Sequence, residues 1–191
     1  SILGSIGTLS LFFLLSVLLP VLLCPVAVAD SAQNSFVGND ACASCHEAQV
    51  QGWTNSHHDL AMQEVNEKTV LGDFDNATFI YEGVTTTFSR RGDEYWVKTD
   101  NESGELQDYR VAYVFGVYPL QQLLLPIKND RLNALSIAWD ARNSSEGGQR
   151  WYHIYEDQEP VTSESPLHWT GVYHNWNSRC AECHSTNVVK G

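Results

Sequence analysis

The feature that most restricts how this chain can fold is a pattern that occurs twice: "ACASCHEAQ", with Cys42, Cys45 and His46, and "RCAECHSTN", with Cys180, Cys183 and His184. Each copy sets two cysteines three positions apart and a histidine directly after the second. The chain has five cysteines, and the fifth, Cys24, lies in an amino-terminal apolar run. All the others are committed to the two motifs. Any fold must therefore keep each trio on one local turn with free space beside it.

Three chemistries compete for such cysteines. Disulfides are the ordinary fate in an oxidising compartment, but a redox C-x-x-C pair has no need of a histidine after it in both copies. A zinc ribbon sets its two knuckles about 15–20 residues apart, whereas 134 residues separate Cys45 from Cys180. Covalent c-type haem uses every residue: each thiol adds to one vinyl group, and the adjacent histidine reaches the iron. The reading is two haem c groups, one attached at Cys42 and Cys45 with His46 as proximal ligand, the other at Cys180 and Cys183 with His184.

That chemistry agrees with the start of the chain. No charged residue precedes Asp30, and the apolar run from Leu9 to Cys24 is interrupted at Pro20. It is short for a membrane span but long enough for a signal-peptide core. Ala27-Val28-Ala29 supplies the small-x-small pattern of a processing site, so residues 1–29 are expected to be a signal peptide cleaved after Ala29, with the mature protein exported to the periplasm. The first residue is serine and no basic segment precedes the apolar run, so sequence upstream is expected.

Removal of the leader leaves 162 residues that carry the whole formal charge of −12. So acidic a surface repels phosphate backbones and argues against nucleic-acid binding. It favours redox protein partners that present basic patches. One domain over 30–191 is the expectation, in three parts: a first haem segment at 30–66, a β-rich region at 67–160 and a second haem segment at 161–191.

Each iron needs a sixth ligand or an open face. Outside the motifs the candidates are His57, His58, His153, His168 and His174, with Met62 as the single methionine. Glu47 to Met62 reads as a helix, with Val50, Trp53, His57 and Leu60 at helical spacing on one face. Twelve residues of helix rise about 18 Å, too far for His58 to fold back onto a haem held by His46. It is expected to serve a different haem, which requires the haems to lie close together. His153, between Tyr152 and Ile154, is either a pocket ligand or a hydrogen-bonded core histidine. Trp151, Trp169, Tyr173 and Trp176 either crowd the second haem or form an aromatic core under the sheet.

Between the haem segments the chain is rich in Thr, Val, Tyr, Phe and Trp, broken by turn signals at Arg91-Gly92-Asp93 and from Asp100 to Gly104. The pattern predicts strands near 78–90, 94–99 and 106–115. "YPLQQLLLPI" reads as a short apolar connection, and "RLNALSIAWDAR" and "QRWYHIY" as two further strands. The fold class expected is α+β, with helical c-type haem-binding segments flanking an antiparallel β meander.

"CASCHEAQVQGWTNSHHDLAM", "YVFGVYPLQQLLLP", "ALSIAWDARNSSEGGQRWYHIY" and "LHWTGVYHNWNSRCAECHSTNVVK" resemble the amino-terminal part of bacterial multihaem cytochromes of the cytochrome c-552/4 type, those followed by tetratricopeptide repeats. The resemblance covers nearly all of residues 37–191 and is most specific from His168 to Lys190. It implies an exported electron-transfer protein of which this chain is an amino-terminal fragment, with further haems and helical repeats downstream. It also implies a distal role for His58, since in related W-x-x-S-x-H helices the histidine two after the serine is the ligand. His168 ranks above His174, which falls outside the family pattern.

Two functional classes follow. One is a multihaem relay that carries electrons among periplasmic partners, and the balance of histidines to irons favours a carrier over a catalyst. The other is a haem oxidoreductase acting on a small nitrogen or sulfur compound, which needs an open iron and proton donors such as Arg90, Arg91, Tyr95 or His153 nearby. A third reading is a haem-stapled interaction module whose repeats choose its partners.

Overall fold

The computed structural model of the protein describes residues 37–185. The chain divides into a unit of Ser1–Phe36 and a unit of Val37–Gly191, and the described strands and helices all belong to the second. The apolar leader and the processing point after Ala29 lie outside the described residues.

Ten strands follow one another among the described residues: β1 (Met62–Glu64), β2 (Asp75–Tyr81), β3 (Val84–Arg91), β4 (Glu94–Asp100), β5 (Leu106–Arg110), β6 (Tyr113–Phe115), β7 (Leu120–Pro126), β8 (Leu132–Ala134), β9 (Ile137–Asp140) and β10 (Arg150–His153). β2 to β5 form a meander in sequence order, every pair antiparallel. The stretch predicted as one strand over 78–90 is a hairpin. Glu82 and Gly83 both have positive φ, 48° and 78°, the left-handed pair that lets a two-residue loop follow the twist of its strands. On β3 and β4 alternate residues, Thr86, Phe88, Tyr95, Val97 and Thr99, turn inward and are buried.

The second sheet runs β1-β6-β7-β9-β10, and β8 also pairs with β7. β7 shares one edge between two partners: Leu124 to Pro126 pair with β8, and Leu120 and Gln121 with β9. Its sequence was expected to be a connection. A strand buried on both faces reads as an unbroken apolar run and shows no period of two. Leu123 and Leu125 face the other sheet, while Leu124 joins a separate cluster behind.

The core lies between the sheets. Phe88 of β3 stacks on Trp151 of β10 with ring centres 3.7 Å apart and planes 3° from parallel. Phe74 meets Phe88, Tyr95 and Trp151 edge-on, the arrangement that aromatic quadrupoles favour. Each such buried side chain contributes about 1.5–3 kcal/mol. Gln121, 1 % exposed, is polar but satisfied: its Oε1 accepts from the Leu71 N–H, and its Nε2 donates to the carbonyls of Thr69 and Gly116.

The expected α+β architecture, with helical segments flanking a meander, is overturned. The described chain is mostly antiparallel sheet, and its α-helices are short: α1 (Asp40–Ala43), α2 (Glu47–Trp53), α3 (Trp176–Arg179) and α4 (Ala181–His184). The helix predicted over 47–62 stops at Trp53. Thr54 leaves the helical region with ψ 127°, and Asn55 is left-handed with φ 60°, its N–H donating to the Asp59 carboxylate at 2.8 Å. Residues 62–64 then exchange helical bonds for a ladder with β6. A marginal helix end loses to an open strand edge when one is at hand.

Candidate functional site

The two motifs fold alike. In the first, the N–H groups of Cys45 and His46 both donate to the Cys42 carbonyl, at 3.2 and 3.0 Å. In the second, those of Cys183 and His184 donate to the Cys180 carbonyl at 3.1 and 3.0 Å. A single turn therefore carries two thiols and an imidazole in each case. All four cysteines are free thiols. The first motif is exposed apart from a half-buried Ala43, whereas in the second Ala181 is buried and Cys180 half-buried, and burial pushes the Cys180 thiol above its ordinary pKa.

The second motif is seated on the back of the six-stranded sheet. Trp176 and Ala181 pack with Leu124 of β7 and Ala134 of β8, and Met62, Phe115, Leu132 and Cys180 pack against them. A polar latch fixes the register. Asn133, fully buried on β8, donates to the carbonyls of Trp169 and Gly171 at 2.8 and 3.0 Å and accepts from Asn175 at 3.2 Å. Asn175 in turn caps α3 by accepting from the Ser178 N–H, and Asn177 accepts from the Leu132 N–H.

Beside this seat lies a cleft of about 870 Å3. Its lining brings Cys183, His184 and Ser185 together with Trp53, His57, His58 and Asp59, and with Met62 and Glu64 of β1 and Tyr113 of β6. The pairing of β1 with β6 closes the gap in sequence: Met62 lies opposite Phe115, and the Gly116 N–H donates to the Ala61 carbonyl at 2.9 Å. Gly116 sits at φ 79°, and a Cβ there would come within 2.7 Å of the Leu120 carbonyl, so glycine is required at this corner. The His184 ring lies 5.7 Å from Trp176 and 6.4 Å from Phe115, while Ser185 donates to the Met62 sulfur at 3.4 Å. His57 is 6.4 Å from Tyr118.

Of the histidines weighed from the sequence, His57, His58 and His184 are thus brought together. His46 is exposed at the start of α2, away from this lining. His153, His168 and His174 lie elsewhere, and each has protein partners. His168 Nε2 donates to Asp100 at 3.1 Å, and its Nδ1 accepts from the Thr170 hydroxyl at 2.7 Å and from the Thr170 N–H at 3.5 Å. His174 Nε2 meets the Leu167 carbonyl at 3.0 Å, and burial lowers its pKa. Burial also pushes His153 down to about 4, with the neighbouring His174 and His168 acting in the same direction. The aromatic residues divide likewise: Trp151 and Trp169 belong to the core between the sheets, Trp176 lies beside His184, and Tyr173 is exposed with Arg179 over its ring. Arg90 pairs with Glu67 and is no part of the cleft.

The cleft suits haem on chemical grounds. Its volume falls in the range of about 300–1,000 Å3 common to cofactor pockets, and its lining offers one thiol and three imidazoles. Asp59 and Tyr113 are lining residues that sequence reasoning did not single out. Asp59 lay close to the histidines, but nothing in the sequence linked Tyr113 to them.

Residues 41–78 match the family model described as cytochrome c554 and c-prime. The matched stretch holds the first motif, α2, His57, His58 and β1. It supports a c-type cytochrome, and with it covalently bound haem c and electron transfer. No curated protein and no solved structure matches the chain.

Proposed function

We propose that the chain is the haem-bearing amino-terminal part of an exported, periplasmic multihaem cytochrome of the c-552/4 type that relays electrons, with two haem c groups in these residues. Cys42 and Cys45 with His46 would hold the first, and Cys180 and Cys183 with His184 the second. The observation that carries this reading is the cleft whose lining His57 and His58 share with Cys183 and His184, with 125 residues of sequence between His58 and His184. Bound there, haem supplies a one-electron couple. His184 and His58 would hold it, and a pair of imidazole ligands would favour carriage over catalysis. Trp176 and Phe115 pack beside the His184 ring, and Trp53 belongs to the same lining. Asp59 and Glu64 make that lining acidic and suit it to a basic partner. Leader removal after Ala29, further haems and helical repeats downstream belong to the same reading.

Expression with a cytochrome c maturation system tests it. The mature chain is expected to gain two haem masses that survive denaturation, and Cys180→Ala with Cys183→Ala to leave one. A colourless, zinc-binding product sinks the assignment. A high-spin haem that binds carbon monoxide rapidly after reduction moves the small-molecule oxidoreductase to the front.

A further inference from the structure

Between the two sheets, away from the cleft, lies a smaller cavity of about 200 Å3. Its polar wall holds Asp100 from β4, His153 from β10 and His168. Its apolar wall is made by Val84, Ile137 and Val161.

The polar wall is a chain of fixed hydrogen bonds. Asp100 is held by donors from the protein side: Thr86 and Thr99 share a hydrogen bond of 2.7 Å, Thr99 donates on to Oδ1 at 3.3 Å, and His168 donates to Oδ2 at 3.1 Å. Convergent donors satisfy both oxygens of the buried carboxylate and fix its orientation.

His153 is only 4 % exposed and stacks on Tyr81 with ring centres 3.8 Å apart and planes 7° from parallel. Tyr81 is fixed in turn by the Val161 N–H donating to its hydroxyl at 3.2 Å. The Tyr155 N–H donates to His153 Nδ1 at 3.3 Å. That bond assigns the ring hydrogen of the neutral imidazole to Nε2, and burial keeps the ring neutral at ordinary pH. Nε2 has no protein partner. Among the described residues no sealed side-chain nitrogen or oxygen is left unpaired, so this N–H opens into the cavity that His153 lines.

A buried N–H donor aimed into a half-apolar cavity beside a fixed carboxylate specifies its occupant. We propose that this cavity binds a small neutral primary amide, whose carbonyl oxygen accepts from His153 Nε2–H, whose NH2 donates to Asp100 and whose short alkyl group lies against Val84, Ile137 and Val161. Water occupies about 30 Å3 per molecule, so the volume admits about seven non-hydrogen atoms. A carboxylate ligand is repelled by Asp100 and by Glu82 at the same wall. An ammonium ion satisfies Asp100 but leaves the His153 N–H without an acceptor, which is costly in a buried site. No group of three or more His, Cys, Asp or Glu among the described residues is arranged for a metal.

Propionamide titrated into the 15N-histidine-labelled, reduced holoprotein tests the site, read by long-range 1H–15N correlation of the imidazole nitrogens. Saturable movement of the His153 resonances is expected, with none from propionate. His153→Phe, read at the His168 resonances, should weaken propionamide binding about tenfold, the loss of one buried hydrogen bond. Ser163→Leu fills the cavity from its loop wall without touching the hydrogen-bonded core, and should also abolish binding, with the fold checked by near-ultraviolet circular dichroism. No saturable shift with propionamide through the millimolar range, an equal response to propionate, or undiminished binding in Ser163→Leu overturns the proposal.

Discussion

At the scale of single residues the two adjacent histidines at 57 and 58 pose the sharpest question, because both line the cleft that His184 also lines. Helical spacing favours His57 for the apolar side, whereas the family resemblance favours His58. If His58 is the distal ligand, His58→Ala turns one haem high-spin in electron paramagnetic resonance of the oxidised protein, and His57→Ala leaves both low-spin. The reverse result exchanges their roles. His153 gives a second test. Its pKa is about 4 in the folded protein against an ordinary 6.5, so between those values the unfolded chain binds the extra proton. Stability from the neutral ring is therefore complete above pH 6.5 and is lost as pH falls toward 4. His174, also lowered by burial, acts in the same sense. A plot of Tm against pH should steepen below 6.5 for the parent and flatten measurably in His153→Gln.

The elements are positioned by a few long-range polar contacts more than by their own propensities. α3 and α4 are each four residues long, too short to persist alone. They hold their place because Trp176 and Ala181 are buried on the back of β7 and β8 and because Asn133 and Asn175 lock the chain to β8. Asn133→Ala leaves the buried Trp169 carbonyl and the Asn175 amide short of partners, a loss of about 2–4 kcal/mol. Urea denaturation should register it as a lower midpoint with an unchanged slope. The second motif should also take up haem less completely in that variant, while the first is unaffected.

For the whole molecule the governing quantity is charge. The formal balance is −12, and residues 1–29 contribute none of it. Under the proposed relay such a surface would draw a basic redox partner in and orient it before contact. Stopped-flow electron transfer to a basic small cytochrome should be fastest at low ionic strength and slow by at least tenfold as salt shortens the Debye length from about 30 Å at 0.01 M to 8 Å at 0.15 M. An acidic partner should show the opposite trend. A rate indifferent to salt for both would remove electrostatic steering from the account.

The two C-x-x-C-H turns were legible before any folding, since Cys42, Cys45, His46, Cys180, Cys183 and His184 are marked by spacing alone, and spacing is local. In the meander β4 and the turns on either side of it were legible too, because alternation and glycine turns are read within a few residues, but 78–90 was read as one strand where a hairpin lies and 106–115 as one strand where β5 and β6 belong to different sheets. Left open were where the helices end, that Leu120–Pro126 is a central strand, and which histidines meet. Those were settled by partners distant in sequence: β6 offered an edge to Met62–Glu64 and ended the predicted helix, and β8 carried the second motif to the same face. Asp100 and His168 stand 68 residues apart and carry no shared signal. A hydrogen bond or a buried face depends on proximity in space, and only the packing of the two sheets supplied that proximity.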